Sequence, residues 1–581
     1  MRLPSLFSAC RESWRAGYGA AQLRRDLIAG LTVGVVAIPL AMALAIAVGV
    51  PPQHGLYTVL VAAPLIALSG GSRFNVSGPT AAFVVILLPI TQQFGLGGLL
   101  LCTVMAGLIL IALGLLGAGR LIAFIPYPVT LGFTAGIAVV IATLQLKDAL
   151  GLTLASTPQH YVEQVQALAS ALPTLQAGDA LIATVCLAVL IVWPRLVPRV
   201  PGHLVALTVG ALLGLLLERN GLPVATLGER FSYSLDGQSL PGIPPLLPTF
   251  AWPWQLPGPD GRPLVPSFEL IHQLLPSAFA IALLGAIESL LCAVVSDGMG
   301  GTRHDANGEL IGQGIGNLAA PLFGGIPATA AIARTATNVR AGAFSPLASI
   351  IHAGVILLAI LWLAPLFSYL PMAALAALLL IVAWNMSEAP HVLHTLKVAP
   401  RGDVAVLLVC LLLTVLFDMV LAVGVGLLLA AGLFIGRMSA LTDAVPVEHP
   451  READTPELPP EVAAFSIRGP LFFGAADRAL GVLRRFNPRV RIVLLDISAV
   501  PLLDMTAIST LERLLRDYRQ QGVGLIVAGA NARLRLKLRR AGLRDIRHAP
   551  DLTRARAKAL AQLQAADQEA TADAGLGRPA G

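Results

Sequence analysis

Residues 75–80, Asn75-Val76-Ser77-Gly78-Pro79-Thr80, and residues 324–329, Gly324-Gly325-Ile326-Pro327-Ala328-Thr329, each interrupt an apolar stretch and open another. The runs that follow are shorter than the about 20 residues a helix needs to cross the hydrocarbon core. Proline suits the first helical position, where its missing N–H would be unpaired anyway. Ser77 has the chemistry of a helix cap. The pattern predicts two helices that start inside otherwise apolar segments, at Pro79 and Pro327, 248 residues apart.

Reading outward from these points, apolar runs bounded by Gly, Pro and charge divide residues 27–440 into about fourteen spans. Each broken helix is the third of a group of seven. An odd number per group gives the two halves opposite orientations in the membrane. Paired, Gly/Pro-interrupted segments at matching places point to the binding site of a transporter. Two helix N-termini facing one another offer free N–H groups and positive dipole ends, an environment that prefers an anion.

Composition agrees. Of 581 residues, 56% are hydrophobic and 13% charged, whereas soluble domains run nearer ~25% charged. A soluble enzyme is excluded as the main reading. Residues 1–450 hold 19 Lys/Arg and 19 Asp/Glu, so the net charge of +7 lies wholly in residues 451–581. Five cysteines, four of them inside apolar runs and none in a CxxC pair, suggest neither disulfides nor a zinc site. No metal cluster, phosphate loop or nucleophile elbow is present, so no enzyme, catalytic residue or cofactor is expected. No cleaved signal is expected from the N-terminal residues, which lack an apolar core of signal-peptide length before Arg24. Arg73, Arg120, Arg195, Arg199, Arg303, Arg340, Lys397 and Arg401 flank the spans on one side, which places both termini in the cytoplasm.

Two charges fall inside the spans beside the breaks. Glu288 sits in the run IALLGAIESLLCAVV, and a carboxylate there is costly unless paired, protonated or facing water. Arg334 follows the second break. It is the natural counter-charge to Glu288, and equally a bidentate partner for a substrate carboxylate.

From Val462 the pattern changes to buried strands alternating with amphipathic helices. VAAFSIRG, RIVLLDIS and GLIVAG read as strands, with helices over 505–520 and 532–541. The run Arg533, Arg535, Lys537, Arg539, Arg540 lacks interleaved aromatic residues. A solvated face, or one held near anionic lipid, is favoured over nucleic acid.

The stretch 285–335, GAIESLLCAVVSDGMGGTRHDANGELIGQGIGNLAAPLFGGIPATAAIART, resembles the signature region of the sulfate permease (SulP) family of anion transporters. SRFNVSGPTAAFV (72–84), RGPLFFGAADR (468–478) and LLDISAVPLLDMTAISTL (494–511) agree with it. Within the family, RDLIAGLTVGVVAIPLAMALAIA (25–47) and VAWNMSEA (382–389) resemble the enterobacterial four-carbon dicarboxylate transporter most.

The resemblance implies an α-helical polytopic membrane protein with fourteen spans in a seven-plus-seven inverted repeat. Spans 1–4 and 8–11 would form a core that slides against a gate of spans 5–7 and 12–14. A small cytoplasmic α/β domain of the STAS type would follow. The implied boundaries are a cytoplasmic segment over 1–26, the transport domain over 27–440, a linker over 441–461, STAS over 462–564 and a disordered tail over 565–581. Carried over by position, the anion contacts Ser77, Gly78, Pro79, Thr80, Ala81, Ala330, Ala331, Ile332, Ala333 and Arg334. Many animal members have serines at the positions of Ala331 and Ala333, so here backbone groups carry more of the binding. The sodium-coupled bicarbonate branch has Asp and Thr at the positions of Glu288 and Cys292. A thiol is a poor ligand for a hard cation, so a protonatable Glu288 is the candidate for coupling.

The expected function is proton-coupled symport of succinate, fumarate or aspartate across a bacterial inner membrane. Sulfate, bicarbonate or chloride transport and a membrane-tethered STAS platform are the alternatives. Expected partners are the small anion, protons, membrane lipids, a second copy of the chain and a cytosolic protein on the STAS domain. Only one hydroxyl remains at Asp504-Met505-Thr506, where phosphorylated relatives of the STAS domain carry two.

Overall fold

The computed structural model describes residues 6–120, 125–154, 158, 160–197, 200–235, 238–417, 419–447, 458–483, 487–543 and 546–576. Arg199, residues 448–457 of the expected linker and residues 577–581 of the expected tail lie outside them. Two compact units result, Met1–Leu428 and Leu429–Gly581.

The first unit opens with α1 (Ser8–Arg15), α2 (Ala20–Ala47) and α3 (Gln53–Ser69), followed by the two-residue strand β1 (Ser77–Gly78) and α4 (Val84–Leu115). It continues through α5 (Tyr127–Ala149), α6 (Tyr161–Ala171), α7 (Ala177–Leu196), α8 (Gly202–Arg219) and α9 (Leu227–Arg230). A hairpin of β2 (Ser232–Leu235) and β3 (Gln238–Pro241) precedes α10 (Phe268–Gly300) and α11 (Ala306–Ala319). Then come β4 (Thr329–Ala330), α12 (Ile332–Arg340), α13 (Leu347–Phe367), α14 (Met372–Met386), α15 (Ala389–Val398), α16 (Arg401–Leu416) and α17 (Met419–Ala440), which runs on into the second unit.

Among the described residues nine helices are long and apolar enough to cross a membrane. The shorter α3, α11, α12 and α16 stand at four further expected spans. The fourteenth is accounted for by α4, which covers the expected third and fourth spans with a kink at Gly95 (φ 68°, ψ −171°). A Cβ at Gly95 would stand 2.4 Å from the carbonyl carbon of Gly258, so both the kink and the close loop require glycine.

Helix packing divides the unit. α4 and α3 pack on α11, α2 on α13, and α10 on α4 and α12, while α5 packs on α14 and α16, and α7 on α8 and α14. The first group holds the expected spans 1–4 and 8–11, and the second the expected spans 5–7 and 12–14 except α17. α2 starts earlier than expected, at Ala20, and buries Asp26 completely. That carboxylate accepts from Phe344 N (2.6 Å), Ser345 N (3.1 Å) and the Ser345 hydroxyl (2.5 Å), tying α2 to the segment before α13. Asp26 thus belongs to the packed interior rather than to a terminal segment.

The second unit carries one five-stranded sheet in the order β5 (Asp443–Pro446), β6 (Val462–Arg468), β7 (Ile492–Ala499), β8 (Gly524–Ala528), β9 (Arg547–Ala549). β5 is antiparallel to β6, and the remaining pairs are parallel. Helices α18 (Ala476–Val482), α19 (Met505–Gln520), α20 (Ala532–Arg540) and α21 (Leu552–Leu576) complete it. Alternation along the strands sends Phe465, Val493, Leu495 and Val527 to the face covered by α19 and α20. Ala464, Leu494, Ile526 and Ala528 go to the face covered by α21. Two expectations are corrected. Residues 443–446, read as linker, form an edge strand. Residues 565–576, read as disordered, continue α21, because a run of Ala, Gln and Glu has high helix propensity.

Candidate functional site

The two predicted breaks meet. β1 and β4 pair antiparallel, Ser77 with Ala330 and Gly78 with Thr329. Each pair maps onto the other when 252 residues are added, so the crossing lies on the two-fold relation between the halves. The matching offset is therefore 252, not the 248 between Pro79 and Pro327. Pro79 lies after its strand and Pro327 before its own, and neither opens a helix. The helical turns begin at Ala81 and Ile332, after Thr80 and Ala331 as the extended residues that precede them. Ser77 caps nothing. Its hydroxyl accepts from Gln313 Nε2 at 3.0 Å.

A polar scaffold holds the crossing. Glu309 is buried and accepts four hydrogen bonds: from Gly71 N and Ser72 N at 3.0 Å each, Asn75 Nδ2 at 2.8 Å and Gln313 Nε2 at 3.1 Å. Asn317 clasps Ala328, accepting from its N–H and donating to its carbonyl, both at 2.8 Å. Ser289 bridges α10 to β4 through Thr329 Oγ1 (2.7 Å) and Ala330 N (3.2 Å). Val76 N donates to Thr335 Oγ1, and Ala331 N to Val76 O. The N–H groups of Ala330 and Ala331 are thus spent on the scaffold. None of Glu309, Gln313, Asn317, Ser289 or Thr335 was among the expected site residues. Their signal was available for α11: Glu309, Gln313 and Asn317 recur at intervals of four on one helical face.

The remaining expected residues form one locus. Arg334, in the first turn of α12, is 2% exposed and donates from Nη2 to Pro79 O at 2.7 Å. Its Nε and Nη1 have no protein acceptor. A Cβ at position 78 would stand 2.6 Å from Nη1, so Gly78 makes the room that the guanidinium fills. Thr80 donates to Glu288 Oε2 at 3.0 Å. Ile332 and Ala333 are exposed at the start of α12, where first-turn N–H groups have no intrahelical acceptor. Ala81 is buried at the other helix start. The direct Glu288–Arg334 ion pair expected from the sequence is absent among the described residues. The guanidinium is turned to the Pro79 carbonyl and the carboxylate to Thr80.

Electrostatically the locus joins one guanidinium with two buried donor atoms to two helix starts, all of which favour negative charge. No group of three His, Cys, Asp or Glu side chains able to hold a metal ion occurs among the described residues.

A multi-pass helical membrane transporter is the class that this fold and crossing define. The model of the sulfate permease family matches residues 23–410, and that of the STAS domain residues 455–556. The chain belongs to the sulfate permease family of anion transporters. It is 40% identical over 529 residues to YvdB of Bacillus subtilis, provisionally named a sulfate transporter, covering 91% of this chain and 95% of that one. It is 30% identical over 545 residues to the bicarbonate transporter BicA of Picosynechococcus, covering 89% and 90%. Among solved structures, the transmembrane domain of a cyanobacterial BicA aligns with a TM-score of 0.59 at 28% identity, over 71% of this chain and 99% of that one. The overall structure of SLC26A9 aligns with a TM-score of 0.82 over 97% and 94%, at 18% identity, a likeness of fold.

Proposed function

We propose that the β1–β4 crossing is the substrate site of a secondary active anion transporter that works by alternating access of its core against its gate. The carrying observation is Arg334, buried with two nitrogens that no protein acceptor satisfies. An unpaired buried donor is costly, and an oxyanion between this guanidinium and the first-turn N–H groups of Ile332 and Ala333 removes that cost. Gly78 and Pro79 shape the pocket around the guanidinium. Thr80 and Ala81 present the opposite helix start. Ser77, Ala330 and Ala331 hold the crossing in place.

Glu288 is the proton-carrying group in this reading, since it lies one hydrogen bond from the first helix start through Thr80. The finer reading is symport of a four-carbon dicarboxylate with a proton, across a bacterial inner membrane with both termini cytoplasmic. The names of the similar proteins favour a second reading, sulfate or bicarbonate. We take the working form to be a homodimer, with the STAS domain open to a cytosolic protein.

Uptake into proteoliposomes separates the readings. Labelled succinate, sulfate and bicarbonate are offered one at a time, with and without an inward proton gradient. Succinate uptake that rises with the gradient supports dicarboxylate symport. Uptake of sulfate or bicarbonate with none of succinate replaces it, and no anion uptake at all overturns the site assignment.

A further inference from the structure

We propose that a second ligand site, for a small organic cation, lies in the cavity of about 400 Å³ where α5 and α8 end and α7 begins, beside α9. Its charged lining comprises Lys147, Asp148, Asp179, Glu218, Glu229 and Arg230. Arg230 Nη1 and Asp148 Oδ1 form an ion pair at 2.6 Å and cancel each other. Three carboxylates then face one ammonium, so the cavity carries a net charge of about −2, opposite to what an anion site requires.

The second observation is Asp179. It sits in the first turn of α7 on the cavity wall, is 2% exposed, and its Oδ1 has no hydrogen-bond donor. The carboxylate has a backbone hydrogen bond from Ala225, and its Oδ2 lies close to Gly151, where an added Cβ would stand 2.5 Å away. A buried carboxylate oxygen without a donor is expensive, and a ligand bearing N–H groups supplies that donor. Glu229 is held by Thr226 N at 3.2 Å, whereas Glu218 stands exposed at the rim.

A bare metal ion does not fit. No three carboxylates converge tightly enough to hold one among the described residues. The acidic groups are instead spread around a volume in the range of small-molecule pockets. That arrangement suits an aliphatic amine, with one ammonium on Asp179 and a carbon frame reaching towards Glu218. The site is separate from the crossing of β1 and β4 and does not depend on which anion binds there.

The test is calorimetric titration of the full-length protein in detergent with 1,4-diaminobutane, and separately with calcium chloride. Saturable binding of the diamine is expected, weakened at least tenfold by Asp179→Asn. Glu218→Gln, at an exposed position, should also weaken it several-fold without changing the melting temperature, and serves if Asp179→Asn fails to fold. Absence of diamine binding, diamine binding unchanged in the variants, or binding of calcium alone overturns the proposal.

Discussion

The Thr80 hydroxyl donates to Glu288 Oε2 at 3.0 Å across 208 residues of sequence. It joins the residue that precedes the first helix start to a carboxylate inside α10. A change in the charge of Glu288 is therefore felt at the helix start itself, through one hydrogen bond that is stronger when its acceptor is ionised.

Glu288→Gln keeps the shape and the Thr80 contact but cannot gain or lose a proton. Uptake into proteoliposomes is expected to become independent of the proton gradient, while exchange of substrate with no gradient persists. Equal gradient dependence in both proteins would remove Glu288 from the coupling step.

Arg334→Lys keeps the charge but gives up the planar fork, and an ammonium cannot hold Pro79 O and an oxyanion in the same way. Loss of a charge-assisted hydrogen bond, about 1.5–3 kcal/mol, corresponds to a fall of roughly 10- to 150-fold in kcat/KM for uptake. The rise should fall mainly on KM. A variant with unchanged kinetics would place the anion elsewhere.

Much of this was legible in the sequence, and the illegible part has a physical cause. Apolar runs separated by Gly and Pro give the spans, because a membrane segment must be apolar over its whole length. The breaks at Pro79 and Pro327 announce the crossing. A proline marks where a helix cannot continue but not which neighbours pair, so the 252-residue register of Ser77, Gly78, Thr329 and Ala330 appears only in three dimensions. Arg334 and Glu288 were legible as charges in apolar runs, but not that they turn to Pro79 and Thr80 rather than to each other. Spacing marks Glu309, Gln313 and Asn317 as one helical face, but not what that face meets, because the partners Gly71, Ser72 and Asn75 of Glu309 come from more than 230 residues away. In the second unit β9 is three residues long, too short for alternation to show.

Gly78→Ala tests how the guanidinium is seated. The new methyl would meet Arg334 Nη1 at 2.6 Å and Val59 Cγ2 at 3.0 Å, so the guanidinium must shift. The φ of 159° at Gly78 is one that side chains rarely adopt, so a lower melting temperature is expected, while KM for the anion in the folded protein rises roughly tenfold, the low end for a charged hydrogen bond. Arg334→Ala combined with Gly78→Ala should then have no higher KM than Arg334→Ala alone. An additive loss would show that Gly78 acts independently of Arg334.

Glu309→Ala removes the acceptor of four buried donors at the scaffold. Asn75 Nδ2 keeps Ser289 O and Gln313 Nε2 keeps the Ser77 hydroxyl, whereas Gly71 N and Ser72 N are stranded at about 1–3 kcal/mol each, so destabilisation by at least about 2 kcal/mol is expected, seen as a lower melting temperature of the solubilised protein. Glu309→Gln retains one acceptor oxygen but sets an NH2 group against N–H donors, and should fall between the two. A wild-type melting temperature in Glu309→Ala would mean that the scaffold does not hold the crossing.

His548, on β9 outside the membrane, gives the second unit a pH dependence. Burial holds its imidazole below the ordinary histidine value, and Arg535, Arg539 and Lys558 lower it further. Its Nδ1 is buried without a partner, and Lys558 Nζ donates to its carbonyl at 2.7 Å. The unfolded chain therefore takes up a proton at about pH 6.5, before the folded one does. The stabilisation from a neutral His548 is complete above that pH and is lost as pH falls through the lowered folded value. Hydrogen exchange across Arg547–Ala549 in the full chain should show weaker protection at pH 5.5 than at pH 7.5, after correction for intrinsic rates. His548→Gln should flatten the difference, and a difference that survives this substitution would assign it to another group.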